Sequence, residues 1–222
     1  MSEKLDGVRA IWTGSELLTR NGNKIHTPDW FTSQLPAFAL DGELFAGRGK
    51  FQAVLSAVQK HSPIDSEWNG LTYCAFDAPE VKGPFKARAE FLSKLPESNV
   101  LRAVNHARIA KSNELEAFHN EVKSLGGEGV IIRNPGAAHV GGRDGSMVKL
   151  KDFQSEEGEV EAFDGKSLLV KWRGVAAKIG SGLPDLIKLN PPIGERVTFN
   201  FHGLTESGLP RFATFVCVRN YE

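Results

Sequence analysis

The periodicity of this sequence changes after Phe153, and that change limits the folds that the chain can adopt. Before it, segments with helical spacing alternate with short apolar runs that predict strands. After it, short strand-like runs are separated by glycine, proline and aspartate turns, with room for one short helix at 183–188. We therefore predict two domains, an α+β domain over 1–153 and a small all-β domain over 154–222.

The first domain is expected to combine mixed or antiparallel sheets with helices. Residues 3–20 predict a hairpin that turns near Thr13-Gly14, and Ser112 begins a helix that ends at Gly126-Gly127. Residues 38–46 predict either a second strand pair or a strand that runs into a loop. Further strands are predicted over 71–77, 129–133 and 146–152, and further helices over 50–60 and 84–95. The strand-only second domain is typical of a small barrel such as the OB-fold.

Charge and cysteine content exclude some functional classes. The 27 basic and 27 acidic residues cancel, whereas proteins that bind nucleic acid through their overall charge are usually basic. A polyanionic partner must therefore meet a local patch. Cys74 and Cys217 lie far apart and fit neither a disulfide framework nor a metal cluster, so we predict two buried thiols. The six histidines lack metal-ligand spacing, and no stretch is long and apolar enough to predict a membrane span.

Several charged side chains stand in or beside predicted strands, where packing alone would not place them. They are Lys4, Asp6 and Arg9 near the start, Glu43, Asp77 and Glu128 at strand positions, and Lys149 and Lys151 on one face of a strand. Phosphoryl and nucleotidyl transfer need such a set, because positioning and charge neutralisation dominate these reactions. Carboxylates bind Mg²⁺, and a lysine becomes a nucleophile when its surroundings lower its pKa. Composition alone does not indicate which lysine that is.

The first segment, Lys4-x-Asp6-Gly7-x-Arg9, resembles the KxDGxR signature of covalent nucleotidyltransferases, the group that comprises ATP-dependent DNA ligases, RNA ligases and mRNA capping enzymes. Five further segments resemble the motifs of this group, in its order: Thr19-Arg20-Asn21-Gly22, Asp41-Gly42-Glu43-Leu44, Tyr73-Cys74-Ala75-Phe76-Asp77, Glu128-Gly129-Val130-Ile131-Ile132-Arg133 and Met147-Val148-Lys149-Leu150-Lys151. Six motifs in order make the resemblance specific.

The tail resembles the OB domain of DNA ligases. Lys178–Asp185 is similar to its FKIGTGFSD segment, with Ala177 in place of the leading aromatic residue, and Pro210-Arg211-Phe212 is similar to a later PRF segment. The short chain is most similar to the minimal bacterial ATP-dependent DNA ligases. Gly142–Gly145 departs from the Gly-Arg-Ser pattern expected there.

The resemblance implies an adenylation domain followed by an OB-fold domain, and a role for each motif residue. Lys4 would attack ATP and carry AMP, and Arg20 and Arg48 would contact DNA. The expected nucleotide-binding residues are Asp6, Arg9, Glu43, Phe76 (stacked on adenine), Glu128, Lys149 and Lys151. Glu43 and Glu128 would also hold Mg²⁺, or Mn²⁺ in its place, and the lysine pair would contact the α-phosphate and help to activate Lys4. Taken singly, each residue also fits a structural role; the ordered motifs favour the chemical one.

The implied function is ATP-dependent sealing of nicks in duplex DNA by a monomer, without a membrane partner. Two alternatives stay open at this point. One is an RNA ligase or capping-type enzyme with the same mechanism, and the other is a nucleic-acid-binding module that has lost catalysis. The compartment is also open: relatives of this kind are often periplasmic, a cytoplasmic location is the alternative, and we expect a further segment upstream of Met1 because the chain starts inside a motif.

Overall fold

The computed structural model describes residues 1–142, 145–205 and 207–219. Within the loop that departs from the family pattern, Arg143 and Asp144 lie outside the described residues. The chain divides into two compact units, Met1–Lys151 and Asp152–Glu222. The first mixes helices and sheets and the second consists mainly of strands, so the predicted fold class is confirmed.

The first unit contains two sheets. Its strands are β1 (Ser2–Glu3), β2 (Val8–Trp12), β3 (Leu17–Thr19), β4 (Lys24–Ile25), β5 (Leu40–Phe45), β6 (Thr72–Asp77), β7 (Leu101–Ala103), β8 (Gly129–Arg133) and β9 (Met147–Lys151). The larger sheet has the order β4-β3-β2-β5-β6-β7 and is antiparallel except between β6 and β7. The smaller sheet has the antiparallel order β1-β8-β9.

The predicted hairpin is confirmed in part. Strands β2 and β3 pair around the expected turn, with Trp12 opposite Leu17. The beginning of the predicted strand, however, belongs to the other sheet, where Ser2 pairs with Ile131 of β8. Residues 4–7 therefore cross from one sheet to the other. Two strands that follow each other closely along the chain look like one longer strand in the sequence. They are distinguished only by the strands with which they pair, and a local pattern does not show those strands.

Among the described residues of the first unit, five helices accompany these sheets: α1 (Asp29–Thr32), α2 (Phe51–Val58), α3 (Asp65–Trp68), α4 (Phe85–Leu92) and α5 (Ser112–Ser124). The predictions of α2, α4 and α5 are confirmed, and α5 ends before Gly126, which has the positive φ of 77° that glycine favours. Helices α1 and α3 were not predicted because four residues are too few to show a helical period.

The core of the first unit lies against the larger sheet. Phe31 of α1 and Trp68 of α3 are fully buried, with ring centroids 4.8 Å apart. The buried Tyr73 hydroxyl lies 3.0 Å from the carbonyl of Ala10 and 2.9 Å from that of Leu40, which ties together β2, β6 and the start of β5. The packed sheet thus supports the polar side chains that its central strands carry.

The second unit is an antiparallel sheet with the order β12-β11-β10-β13-β14. Its elements are β10 (Gln154–Phe163), β11 (Leu168–Trp172), β12 (Val175–Ile179), α6 (Asp185–Leu189), β13 (Arg196–Phe201) and β14 (Thr214–Arg219). Ser181, just after β12, forms a parallel bridge with Thr214, so the two edges of the sheet meet as in a small barrel. Strand β12 shows no clear strand pattern in the sequence, because its two alanines and a lysine have low β-propensity.

Cys74 is buried and Cys217 half-buried, and both are free, which corrects the prediction of two buried thiols.

Candidate active site

The segment that crosses between the sheets places Lys4 at their junction. The Lys4 backbone N–H donates to the carbonyl of Gly129 at 2.8 Å, which fixes the residue beside β8. At the other end, a Cβ on Gly7 would lie 2.2 Å from the carbonyl oxygen of Leu44. Only glycine allows the crossing segment to approach β5 this closely, so the glycine of the first motif is required by contact with the protein's own backbone.

The Lys4 amine lies against Glu128, directly before β8. It donates a hydrogen bond to one carboxylate oxygen of Glu128, and Lys151 Nζ lies 2.7 Å from the other. The side chains of Lys4 and Glu128 are only 17% and 15% exposed, so water screens their charges poorly. The Glu128 carboxylate thus forms ion pairs with two of the lysines predicted for the site, Lys4 and Lys151.

Glu43 on β5 is a second carboxylate at this junction. Burial raises its pKa to about 7, and Glu128 contributes to the increase, while Lys4 and a hydrogen bond from the Gly7 backbone oppose it. The described residues contain no group of three or more acidic, histidine or cysteine side chains that could hold a metal ion. Mg²⁺ needs only one or two protein carboxylates when substrate phosphates supply further ligands, so Glu43 and Glu128 fit such an ion.

Phe76 near the end of β6 has two arginines close to its ring. The Cζ atom of Arg9 is 5.8 Å from the centre of its ring and that of Arg133 is 5.2 Å from it. Arg9 is held in turn by the buried Asp41, with Nε 2.9 Å from Oδ1. A ring placed in this way has a defined orientation at the site.

These side chains surround a cavity of about 270 Å³ in the first unit. Six of the residues predicted from the sequence line it: Lys4, Arg9, Arg20, Glu43, Phe76 and Lys149. Glu128 adjoins the cavity through its ion pair with Lys4, and Lys151 adjoins it through its own ion pair with Glu128. Asp6 and Arg48 are not among the described residues of its wall; Asp6 is half-buried in the crossing segment, and Arg48 forms two 2.8 Å hydrogen bonds with Glu3.

The cavity wall also contains residues for which no role was predicted from the sequence. Asp41 and Arg133 belong to two of the quoted motifs, so their presence near the site had a signal, whereas Phe85 and Arg88 of α4 had none. Asp77 accepts hydrogen bonds from Arg88 Nε at 2.6 Å and Arg133 Nη1 at 2.8 Å. A helix that is distant in sequence thereby becomes part of the wall.

His106 lies behind this wall, with its ring 5.0 Å from that of Phe85 in an edge-to-face contact. Burial, and next the charge of Arg133, lower its pKa to about 4. Within the described part of the chain, its buried Nε2 has no hydrogen-bond partner. The imidazole is therefore neutral in the folded protein at pH values where an unfolded chain would protonate it.

We expect the contribution of His106 to the free energy of unfolding to decrease as the pH falls from about 6.5 toward 4, because only the unfolded state then binds a proton at His106. Between pH 7.5 and pH 5 this contribution should fall by about 2 kcal/mol, since each pKa unit corresponds to about 1.4 kcal/mol. Protonation of Glu43, whose pKa is raised to about 7, acts in the opposite direction over the same range, so the quantity to compare is the stability of His106→Gln minus that of the wild type, from urea unfolding at both pH values. This difference should shift in favour of His106→Gln by about 2 kcal/mol at pH 5, whereas the exposed His61→Gln should change with pH as the wild type does; equal behaviour of the two variants would contradict the assignment.

The site has the elements that covalent nucleotidyltransfer requires, a lysine amine beside carboxylates and cationic side chains around a pocket. Comparisons with known proteins show which covalent nucleotidyltransferases this chain is similar to. Residues 1–151 match the family described as ATP dependent DNA ligase domain, and residues 163–219 match that described as DNA ligase OB-like domain. The chain belongs to the ATP-dependent DNA ligase family.

Individual relatives agree. A DNA ligase of Haemophilus influenzae is 37% identical over 229 residues, which cover 97% of this chain and 84% of the relative. A solved structure from a study of minimal-scaffold Lig E DNA ligases is also 37% identical, with a TM-score of 0.89 over 98% of this chain and 91% of that one. The Chlorella virus DNA ligase-adenylate shares the fold, with 24% identity and a TM-score of 0.57 over 100% of this chain and 91% of that one.

The prediction of an ATP-dependent DNA ligase is therefore confirmed, and neither the RNA-directed nor the inactive alternative is favoured. ATP use with a metal, and binding of DNA, follow from the family. In the described part of the chain, none of the helices has the length and apolar character needed to cross a membrane.

Proposed function

We propose that this ligase seals nicks in duplex DNA through an AMP group carried on Lys4. The observation that supports the proposal is the position of the Lys4 amine, which lines the cavity beside Glu43 and Phe76 while it contacts Glu128. A nucleotide whose base stacks on Phe76 would extend its phosphates toward this amine. Lys149, on the same cavity wall, supplies a cation for the phosphate oxygens.

In the first step, Lys4 Nζ, which donates to Glu128 in the structure, releases a proton to solvent and attacks the α-phosphorus of ATP. The N–P bond forms, the bond to the β-phosphate oxygen breaks, and pyrophosphate leaves. Glu43 and Glu128 would hold Mg²⁺, or Mn²⁺, which supplies charge neutralisation at the phosphates when bound. Because Glu128 is already paired with Lys4 and Lys151, its carboxylate also fixes the direction of the amine.

The remaining steps transfer AMP to the 5′-phosphate of the nick and then join the strand. The 5′-phosphate oxygen attacks the AMP phosphorus and releases Lys4, and the 3′-hydroxyl then displaces AMP as the phosphodiester forms. We propose that a single chain carries out all three steps. Its contacts should go mainly to DNA phosphates and weaken as the salt concentration rises.

Intact-protein mass tests the mechanism. The protein is first treated with pyrophosphate and Mg²⁺ to remove any AMP already bound, and then incubated with ATP and Mg²⁺. We expect the mass of one AMP to be gained, and then lost on addition of nicked duplex DNA. An adenylated protein that a nick does not discharge would refute the proposed substrate; discharge by nicks with RNA strands alone would move it to the RNA-ligase alternative.

Arg20 and Arg48 should differ in their effect on the DNA step. Arg20 is exposed at the cavity, whereas Arg48 is engaged by Glu3. We expect Arg20→Ala to slow discharge of the adenylated protein by nicked DNA roughly tenfold, the worth of one charged hydrogen bond, and to leave self-adenylation intact. Arg48→Ala should have a smaller effect. Single-turnover sealing measures both, and a larger loss in Arg48→Ala would reverse these assignments.

A further inference from the structure

Five side chains in the wall of the cavity alternate between guanidinium groups and phenyl rings. In order they are Arg88, Phe85, Arg133, Phe76 and Arg9, and we call them the cation–aromatic ladder. The successive distances from guanidinium carbon to ring centre are 5.6, 4.8, 5.2 and 5.8 Å. All four lie within the 6 Å at which a cation is attracted to the ring quadrupole. The ladder runs from helix α4 to the Arg9 of the first motif.

Two buried aspartates fix the ladder. Asp77 binds Arg88 and Arg133 together, and the side chains of Asp77 and Arg88 are only 4% and 3% exposed. At the other end, Asp41 binds Arg9. Because the two ion pairs of Asp77 are shielded from water, breaking one of them is costly, and Arg88 and Arg133 have little freedom to turn. The rings between them are confined in the same way.

Arg133 occupies the centre of this arrangement. Its guanidinium contacts both Phe85 and Phe76, its Nη1 donates to Asp77, and its side chain is only 16% exposed. Burial lowers its pKa, as expected for a cation removed from water. These contacts leave Arg133 better placed to restrain the neighbouring ring than to reach a substrate phosphate.

We propose that Arg133 is a positioning residue for the nucleotide, which acts by holding the Phe76 ring in the orientation that the base stacks on. The proposal rests on the proposed function, in which Phe76 is the stacking residue. A ring that is already confined loses little conformational freedom when the base binds, so affinity is gained without a new contact. Arg133 thus adds to the binding of the base and not to that of the phosphates.

Binding of two ligands tests this role. Protein freed of AMP is titrated with ATP and separately with inorganic tripolyphosphate, in EDTA so that no self-adenylation occurs. We expect Arg133→Met to weaken ATP binding about tenfold and to change tripolyphosphate binding less than twofold. In metal-dependent adenylation the KM for ATP should rise while kcat stays nearly constant, the signature of lost ground-state binding. An equal loss for both ligands would instead show direct contact with phosphates.

A double-mutant cycle separates action through Phe76 from a general structural effect. Once Phe76→Ala has removed the ring, Arg133→Met should weaken ATP binding less than twofold further. The same tenfold loss in both backgrounds would overturn the proposal. Arg102→Met, which changes an exposed arginine on β7, is the matched control and should bind ATP normally.

Arg133→Lys keeps a cation beside Asp77, so it carries the test if Arg133→Met does not fold. It lacks the planar group that fits between two rings, and we expect its ATP affinity to stay closer to that of Arg133→Met than to that of the wild type. Full recovery in Arg133→Lys would show that charge alone suffices. If the wild type is adenylated normally and every Arg133 variant binds ATP as tightly as the wild type, this inference is rejected. The proposed function stays intact in that case.

Discussion

Lys4→Ala should abolish both self-adenylation and nick sealing, with a loss beyond about 10⁴-fold, while the fold persists. The variant removes the only atom proposed to form the bond to AMP, and water cannot replace it as a carrier. Stability should change little, because Glu128 keeps Lys151 as a partner at 2.7 Å and the backbone bond from Lys4 to Gly129 does not involve the side chain. Intact mass after incubation with ATP and Mg²⁺, together with gel-based sealing, measures the two activities.

Lys4→Arg sharpens this result, since it keeps the positive charge beside Glu128 but lacks a nucleophilic amine at ordinary pH. It should be as inactive as Lys4→Ala. Lys24→Ala, which removes an exposed lysine paired with Glu16, is the matched control and should be adenylated like the wild type. Covalent AMP on either Lys4 variant would assign the nucleophile to another residue.

Asp77→Ala should cost about 3–5 kcal/mol of the stability of the first unit, because it leaves the buried Arg88 without its carboxylate. Asp77 also binds Arg133 and the backbone N–H of Ala78, so three donors lose their partner at once. Although burial alone would raise the pKa of Asp77, Arg88 and Arg133 lower it overall, and the carboxylate stays charged over the neutral range.

Urea unfolding followed by tryptophan fluorescence measures this loss, because three of the four tryptophans, Trp12, Trp30 and Trp68, lie in the first unit. The chain has two compact units, so the transition of the first has to be fitted separately. Asp185→Ala removes a carboxylate whose side chain is 92% exposed, and it should change stability by less than about 0.5 kcal/mol. A loss of that size in Asp77→Ala would mean that the buried cluster contributes little.

The sequence predicted the long elements well and the short ones poorly. Helix α5 was evident from its apolar face and the glycines at its end, and the hairpin of β2 and β3 from its turn. Helices α1 and α3 and strand β12 gave no usable pattern, because they are short or contain weakly biased residues. The two helices are held by the burial of Phe31 and Trp68, and the strand by its pairing with β11.

Most of the candidate site was also predicted, since the motifs carry its charged residues in order along the chain. The structure brings Lys4, Arg9, Glu43, Phe76, Lys149 and Arg20 to one cavity wall and adds Glu128 and Lys151 through ion pairs. Arg48 was expected to be available for DNA, but in the structure it is engaged by Glu3. The sequence identifies the kind of side chain at such a position and not the partner that the fold brings to it.

The sequence by itself predicted the family, the division into an α+β and an all-β part, and the lysine that the motifs single out, because these predictions rest on local patterns and their order. Only the tertiary structure decided that residues 4–7 cross between two sheets, that Gly7 is required by the backbone of Leu44, and that helix α4 supplies Phe85 and Arg88 to the cavity wall. These features join residues that are distant along the chain. Such contacts arise from the packing of whole elements, which no local period or spacing records.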